Sequence, residues 1–264
     1  MTIDRIRTEL ASYHDKFTTL AYRYDGTLAS SEELETTIDR YSDFITDAEN
    51  HSLWDRLERD SSDELHRLAA GLRRSSAQCV TIMEKYRALK LLGGESERTD
   101  YFQNIEACIE QEFGSFRVAS DSRVVLIGSG SFPMTPLFIA KRTGASVVGI
   151  DIDEEAVELG RKVIDRLGRG LNIRLLGGSA EHHPEELRMA THLIFSSTVS
   201  EKYELLDRLH ALTDRQVVVA MRYGDRLKSL FNYPMREVDG RKWRLVETVL
   251  RPEQVFDIAL YRRA

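Results

Sequence analysis

The sequence predicts an α/β protein in two parts, an all-α N-terminal domain over residues 1–118 and an α/β domain over residues 119–264. Three observations carry that prediction. Up to about residue 120, apolar residues recur every three or four positions, the period of a helix buried on one face. Beyond it, short apolar runs bounded by glycine alternate with helical patterns, which argues for a parallel sheet covered on both faces. The chain then closes on two extended segments in succession, "WRLVETVLR" and "QVFDIALYRR", which predict an antiparallel tail to that sheet.

In the first part, Ile3, Ile6, Leu10, Tyr13, Phe17 and Leu20 mark one helix, and Leu34, Ile38, Tyr41 and Ile45 a second. A longer pattern through Leu65, Leu68, Leu72, Val80, Met83 and Leu91 marks a third, with Gly71 as a potential break. "SSDE" at 61–64 places a hydroxyl three residues ahead of a carboxylate, an N-cap signature. "GGESERTD" (93–100) reads as a loop, and a further helix follows with Tyr101, Ile105, Cys108, Ile109 and Phe113. In the second part "RVVLIG" is a buried strand, "PLFIAKRTG" a helix closed by Gly144, and "SVVGID" a second strand. "EEAVELGRKVIDRLG" is an amphipathic helix, and "NIRLLGG", "THLIFSS" and "QVVVAMR" are three more strands.

Bulk properties exclude several classes of function. A net charge of −6 over 264 residues points to neither nucleic acid nor an anionic membrane as partner. No apolar run approaches the ~20 residues that span a bilayer. The N-terminus, "MTIDRIRTELASYHDKF", lacks the apolar core of a secretory signal, so a cytoplasmic protein is expected. Cys79 and Cys108 show no metal-binding spacing and read as buried thiols on apolar helical stripes. His182 and His183 are adjacent on the chain, a poor arrangement for ligating one ion, and no metal is expected.

The chemistry begins at "GSGSFP" (128–133). Gly128 and Gly130 directly follow the first strand, where glycine lets the chain turn sharply and lets backbone approach a ligand. Asp151 ends the next strand, placed to accept hydrogen bonds from both hydroxyls of a ribose, with Asp153 a second candidate. A pyrophosphate would want free N–H groups at the start of the following helix. Pro133 removes one of them, which matters little for a ligand without phosphate. S-adenosylmethionine has none; it carries a sulfonium and an amino-acid tail. With its antiparallel tail, this half resembles the Rossmann-like domain of class I S-adenosylmethionine-dependent transferases. The candidate donor-binding residues are Gly128, Ser129, Gly130, Pro133, Asp151 and Ile152, then Ser179 and Ala180 for the adenine, and Ser196 and Ser197 at the tip of the fourth strand.

Two stretches carry a more specific resemblance. "LIGSGSFPMTPL" (126–137) is similar to the glycine-proline turn of nicotianamine synthases. "VVVAMRYGDRLKSLFNYP" (217–234) resembles that family's arginine-bearing turn and terminal Tyr-Pro, matched by Arg222, Gly224 or Asp225, Arg226 and Asn232-Tyr233-Pro234. The resemblance implies transfer of the 3-amino-3-carboxypropyl (2-aminobutanoate) arm of S-adenosylmethionine to an amine, with methylthioadenosine released. It also implies a functional glutamate on the long helix, for which Glu84 in "CVTIMEKYRALK" is the candidate base; the alternative is a solvated Glu84 paired with Lys85 or Lys90. Tyr101, in "DYFQNI", matches an aromatic segment of the family and is the second catalytic candidate, although Ile105 replaces that segment's last tyrosine. Arg222, Arg226 and Tyr233 are the candidate substrate-binding residues, the arginines because a guanidinium can clamp a carboxylate through two hydrogen bonds.

The altered surroundings of Glu84, Ile105 in place of tyrosine, and Asn232 before Tyr233-Pro234 look more like the bacterial branch that makes opine-type metallophores such as staphylopine and pseudopaline. That branch implies histidine as acceptor and an opine dehydrogenase as the next enzyme; the acidic, helix-rich N-terminal domain is compatible with a homodimer. A nicotianamine synthase, a small-molecule methyltransferase and a non-catalytic S-adenosylmethionine-binding subunit remain open from the sequence.

Overall fold

The structure, a computed structural model, describes residues 3–59, 62–95 and 116–264. Tyr101, Phe102, Asn104, Ile105 and Cys108 lie outside the described residues. Among the described residues four helices come first: α1 (Ile3–Tyr22), α2 (Ser31–Thr46), α3 (Ala48–Arg59) and α4 (Asp63–Gly93). The α/β part follows as β1 (Arg123–Ile127), α5 (Met134–Thr143), β2 (Ser146–Asp151), α6 (Glu154–Leu167), β3 (Ile173–Gly177), α7 (Pro184–Met189), β4 (His192–Phe195), α8 (Lys202–Leu209) and β5 (Val218–Tyr223). The last two strands are β6 (Trp243–Val249) and β7 (Asp257–Arg263).

The seven strands form one sheet in the order β3-β2-β1-β4-β5-β7-β6. β1 to β5 are parallel, with Leu126 opposite Gly149 on one side and Ile194 on the other. β7 inserts antiparallel between β5 and β6, so Arg222 faces Ile258. The order reverses at β1, and the crevice beyond the ends of β1 and β4 is where such sheets take ligands.

Side chains alternate across the strands. Val124, Leu126, Ile194 and Ala220 face one way and join the core of the N-terminal helices, including Ile6, Phe17, Ile38, Tyr41 and Met83. Val125, Ile127, Leu193, Val219 and Met221 face the other way and pack under α7 and α8. One apolar core therefore runs from the helical part into the α/β part, and the helices cover one face of the sheet.

Three local expectations are corrected. The long helix runs unbroken through Gly71, because His14 of α1 packs onto that position; a Cβ there would stand 2.6 Å from His14 Nε2. Its cap is Ser62, whose hydroxyl accepts from the Leu65 N–H, one residue beyond the hydroxyl in the expected pattern. α3 has no counterpart among the expected helices: its buried residues Asn50, Leu53, Trp54 and Leu57 cover barely two turns, and one of the four is polar, so the period is weak in sequence. Cys79, as expected, is a free buried thiol; it donates to the Phe17 carbonyl, and burial pushes its pKa up to about 12.

Candidate active site

The turn after β1 is built as its glycines imply. Gly128 and Gly130 both have positive φ, +81° and +65°. The Gly128 and Ser129 N–H groups donate to the Ile150 carbonyl, which closes the turn onto β2. A Cβ on Gly128 would stand 2.7 Å from Val199, and one on Gly130 would overlap Glu84 Oε2. The second glycine thus makes room for a side chain from the N-terminal helices as well as for the turn.

Gly130 stands between two acids. Its N–H donates to Asp151 Oδ2 at 2.8 Å, while its α-carbon abuts the Glu84 carboxylate. Asp151 Oδ1 takes a second N–H, from Asp153, at 3.0 Å. Burial raises the Asp151 carboxyl above the ordinary aspartate value, against the lowering effect of those two N–H groups. Glu84 is pushed up to about 8, first by burial and next by the Asp151 charge; an N–H bond from Ser131 and the Arg87 and Arg222 guanidiniums oppose this. Such a carboxyl can hold or release a proton near neutral pH.

The neighbours of Glu84 fix it by anchoring α4. Lys85, the next residue, is buried and bonds Asp153 Oδ2 at 2.8 Å and Glu155 Oε2 at 2.6 Å. Asp153 also caps α6, accepting from the Glu155 and Ala156 N–H groups. Burial would raise its carboxyl, but the Lys85 ammonium and the capping N–H groups hold it below the usual range. The two aspartates at the end of β2 are thereby sorted: Asp151 faces the crevice beside Gly130, and Asp153 ties α6 to α4. Lys90, the other conceivable partner of Glu84, pairs with Glu35 instead.

A crevice of about 460 Å³ opens beside Glu84 and Asp151. That lies in the range of pockets for small ligands. Gly128, Gly130, Asp151, Ile152, Ser179, Ala180 and Ser196 all line it, as their places in the sequence suggest. Ile152 is largely exposed at its rim. A narrower pocket of about 40 Å³ shares Glu84, Gly128 and Ser196 and adds Ser129, Ser197, Thr135, Arg222 and Phe256. Arg222 is buried there, donating to Thr135 Oγ1 at 3.1 Å with its guanidinium 4.9 Å from the Phe256 ring centre.

Three expected site residues are not brought to either pocket. Pro133 caps α5 and packs toward Gly160, so its influence is confined to the N–H it lacks. Arg226 turns to α3 and forms a two-pronged ion pair with Asp55, from a left-handed backbone with φ +49°. Tyr233 sits beside the Arg73 guanidinium, and its backbone carbonyl accepts from Gly224 and Lys202. His183 bonds the Gly177 carbonyl while His182 is exposed. Among the described residues no group of three metal-ligating side chains converges.

Val80, Thr81, Thr135, Thr198, Val199 and Phe256 also line the pockets; Thr135 belongs to the glycine-proline turn, and Thr198 and Val199 directly follow Ser196 and Ser197. Val80 and Thr81 carry a readable signal, since they lie one helical turn before Glu84 and share its face. Phe256 has none, because it reaches Arg222 only through the pairing of β7 with β5.

The chemistry of this donor set suits a sulfonium better than a phosphate. Asp151 and the raised Glu84 carboxyl flank the glycine turn, an arrangement that disfavours an anion and that a nearby cation would stabilise, and the turn is followed by a proline rather than by free N–H groups. Gly130, which cannot bear a Cβ, leaves the Glu84 carboxylate open to the crevice.

No protein-family model matches the chain. Curated relatives do. An L-histidine 2-aminobutanoyltransferase of Pseudomonas aeruginosa is 30% identical over 238 residues, covering 88% of this chain and 87% of the relative. One of Yersinia pestis is 30% identical over 190 residues, covering 72% and 71%. Among solved structures, a glutamate-to-glutamine variant of MtNAS, a nicotianamine synthase, superposes with a TM-score of 0.78 at 17% identity and 97% coverage of both chains. The same variant in complex with S-adenosylmethionine gives 0.70 at 19% identity, over 95% and 98%. The whole architecture, helices and sheet together, is thus that of the nicotianamine synthase structures, and the chain belongs to the family of L-histidine 2-aminobutanoyltransferases.

Proposed function

We propose that the protein transfers the 2-aminobutanoate arm of S-adenosylmethionine to the α-amine of histidine. The amine nitrogen forms a bond to the arm's γ-carbon, the bond from that carbon to sulfur breaks, and sulfur keeps the electron pair as neutral methylthioadenosine. The nitrogen sheds one proton in the process.

The observation that carries the reading is the Glu84 carboxyl, raised to about 8 and set against Gly130 beside Asp151. An α-amine is largely protonated at neutral pH and cannot attack until it is neutral. A carboxylate with a raised pKa that lines the donor crevice is suited to take that proton. Asp151 would hold the ribose, Ser179 and Ala180 the adenine, and Ile152 would cover it from the rim. Arg222, buried in the narrower pocket, would clamp an amino-acid carboxylate. With the arm turned toward that pocket, its γ-carbon rather than the methyl group meets the incoming nitrogen, and orientation decides which sulfonium substituent is transferred. No metal enters this scheme.

The product carries a new secondary amine, the primary α-amine of the transferred arm and two carboxylates, and an opine dehydrogenase would condense that primary amine with a 2-oxo acid and reduce the imine with hydride from a nicotinamide cofactor. No helix among the described residues is long and apolar enough to cross a membrane. We place the reaction in the cytoplasm, a reducing compartment that the free thiol of Cys79 fits.

Mass spectrometry after incubation with S-adenosylmethionine and histidine tests the reading. Methylthioadenosine and histidine enlarged by one aminobutanoate are expected. S-adenosylhomocysteine would mean methyl transfer, and products formed without histidine would mean self-condensation of the donor; either result refutes the assignment.

A further inference from the structure

Lys202, the first residue of α8, is completely buried, and no carboxylate among the described residues pairs with it. Its ammonium instead donates to three backbone carbonyls: Ser197 at 3.1 Å, Arg222 at 2.6 Å and Tyr233 at 3.2 Å. An ammonium has three N–H donors, so the three bonds use them all. The acceptors come from three separate segments: the turn after β4, the strand β5, and the return loop that ends at Tyr233.

Those segments are also knotted to each other. The Tyr233 N–H donates to the Ser197 carbonyl, and the Gly224 N–H to the Tyr233 carbonyl. Lys202 sits at the centre of this knot, and the Arg222 carbonyl makes its shortest bond. The side chain of the same Arg222 leaves the strand on the pocket side, anchored on Thr135 and lying over Phe256. Burying a lone ammonium is expensive, and an apolar residue would fill the space at less cost if filling were the task. What a lysine adds here is a fixed point, common to three strands of chain, directly behind the arginine that faces the substrate pocket. Burial, and next the Arg236 and Arg73 charges, push its pKa well down; the three carbonyl acceptors around the nitrogen call for three N–H donors.

We propose that Lys202 is a positioning residue: by fixing the backbone of Arg222 it aims that guanidinium at an α-amino-acid carboxylate of the substrates. The identity of those substrates rests on the proposed function, but the aiming does not, and it can be measured by binding alone.

Two ligand pairs read it. S-adenosylmethionine against methylthioadenosine reports the donor's carboxylate, and histidine against histamine, titrated with methylthioadenosine present, reports the acceptor's. The wild-type protein is expected to prefer the carboxylate-bearing member of at least one pair. Lys202→Gln should reduce that preference roughly tenfold or more while methylthioadenosine affinity stays within about threefold. In an Arg222→Gln background, Lys202→Gln should bring no further loss of preference. Lys202→Met, which keeps the stem without donors, should behave as Lys202→Gln or worse.

The inference is overturned by any of four results. They are a wild type without preference in either pair, preferences unchanged in both Lys202 variants, equal losses with and without Arg222, and failure of both Lys202 variants to fold, which would assign the residue to stability alone. A wild type that binds both ligands but releases no methylthioadenosine refutes the proposed reaction and leaves this binding test intact.

Discussion

Replacing Glu84 by glutamine should stabilise the protein and disable it at once. Glu84 has a carboxyl raised from 4.5 to about 8 in the folded state. Below pH 4.5 it is protonated whether the chain is folded or not, and it exerts no pH-dependent effect. As the pH rises from there, the unfolded chain releases a proton that the folded chain retains, so stability falls until about pH 8 and then levels off. A tenfold change in proton affinity corresponds to about 1.4 kcal/mol, so the penalty is roughly 3 kcal/mol at pH 7, roughly 5 above pH 8 and under about 1 at pH 5. Glutamine keeps the shape and can still accept the Ser131 N–H, but it carries no charge to bury. The Glu84→Gln protein should therefore melt about 5–10 °C higher than wild type at pH 7 and almost level with it at pH 5. Its turnover should fall by a factor of about 100 or more, the usual scale for loss of a general base. Wild-type turnover should rise with pH as Glu84 loses its proton, and a bound sulfonium should move that limb below pH 8. Thermal melts at the two pH values and a methylthioadenosine assay check both halves. A Glu84→Gln protein that is active, or that gains the same stability at pH 5 as at pH 7, would refute the reasoning.

Four further outcomes follow from the same geometry. Gly130→Ala must adopt φ +65° and displace the Glu84 carboxylate; the backbone strain is about 1–2 kcal/mol, and kcat should drop about a hundredfold, read by steady-state kinetics. Asp151→Asn exposes the Gly130 and Asp153 N–H groups to an amide in place of a carboxylate, and the Kd for S-adenosylmethionine should rise roughly 10- to 100-fold by calorimetry. Arg226→Ala breaks only the partly exposed pair with Asp55, so stability should change by no more than about 1 kcal/mol; a large rise in acceptor KM would contradict its placement away from the pockets. Asp257→Asn leaves the Lys228 ammonium, 2.5 Å away and equally buried, without its counter-charge, and denaturant unfolding should show a loss of roughly 3–5 kcal/mol.

The motif "VVVAMRYGDRLKSLFNYP" shows where sequence reading stops. Its two arginines are four residues apart and chemically alike, and both could clamp a carboxylate. The structure separates them. Arg222 still lies in β5 and enters the pocket, whereas Arg226 lies beyond Gly224, whose missing Cβ admits the Lys228 backbone and lets the turn swing out to α3. The rest of the motif is structural wiring: the Lys228–Asp257 pair, Asn232 on the Val255 carbonyl, and the Tyr41 hydroxyl on the Leu230 carbonyl. None of these partners is near in sequence, so no local pattern could have named them.

By itself the sequence determined the parts whose physics is local. Strand and helix periods, the two glycines of positive φ after β1, the acid at the tip of β2 and the missing N–H at Pro133 are all properties of a few consecutive residues, and together they locate the crevice beyond β1. Tertiary structure alone decided which face of α4 meets that crevice, and hence that Glu84 rather than its charged neighbour Lys85 abuts Gly130. It also decided that Asp151 serves the crevice while Asp153 serves a helix, and that a buried lysine stands behind Arg222. The physical reason is common to all three. A carboxylate's pKa, an arginine's aim and a lysine's partners depend on groups brought together from distant segments by packing, and residue order records periods but not those encounters.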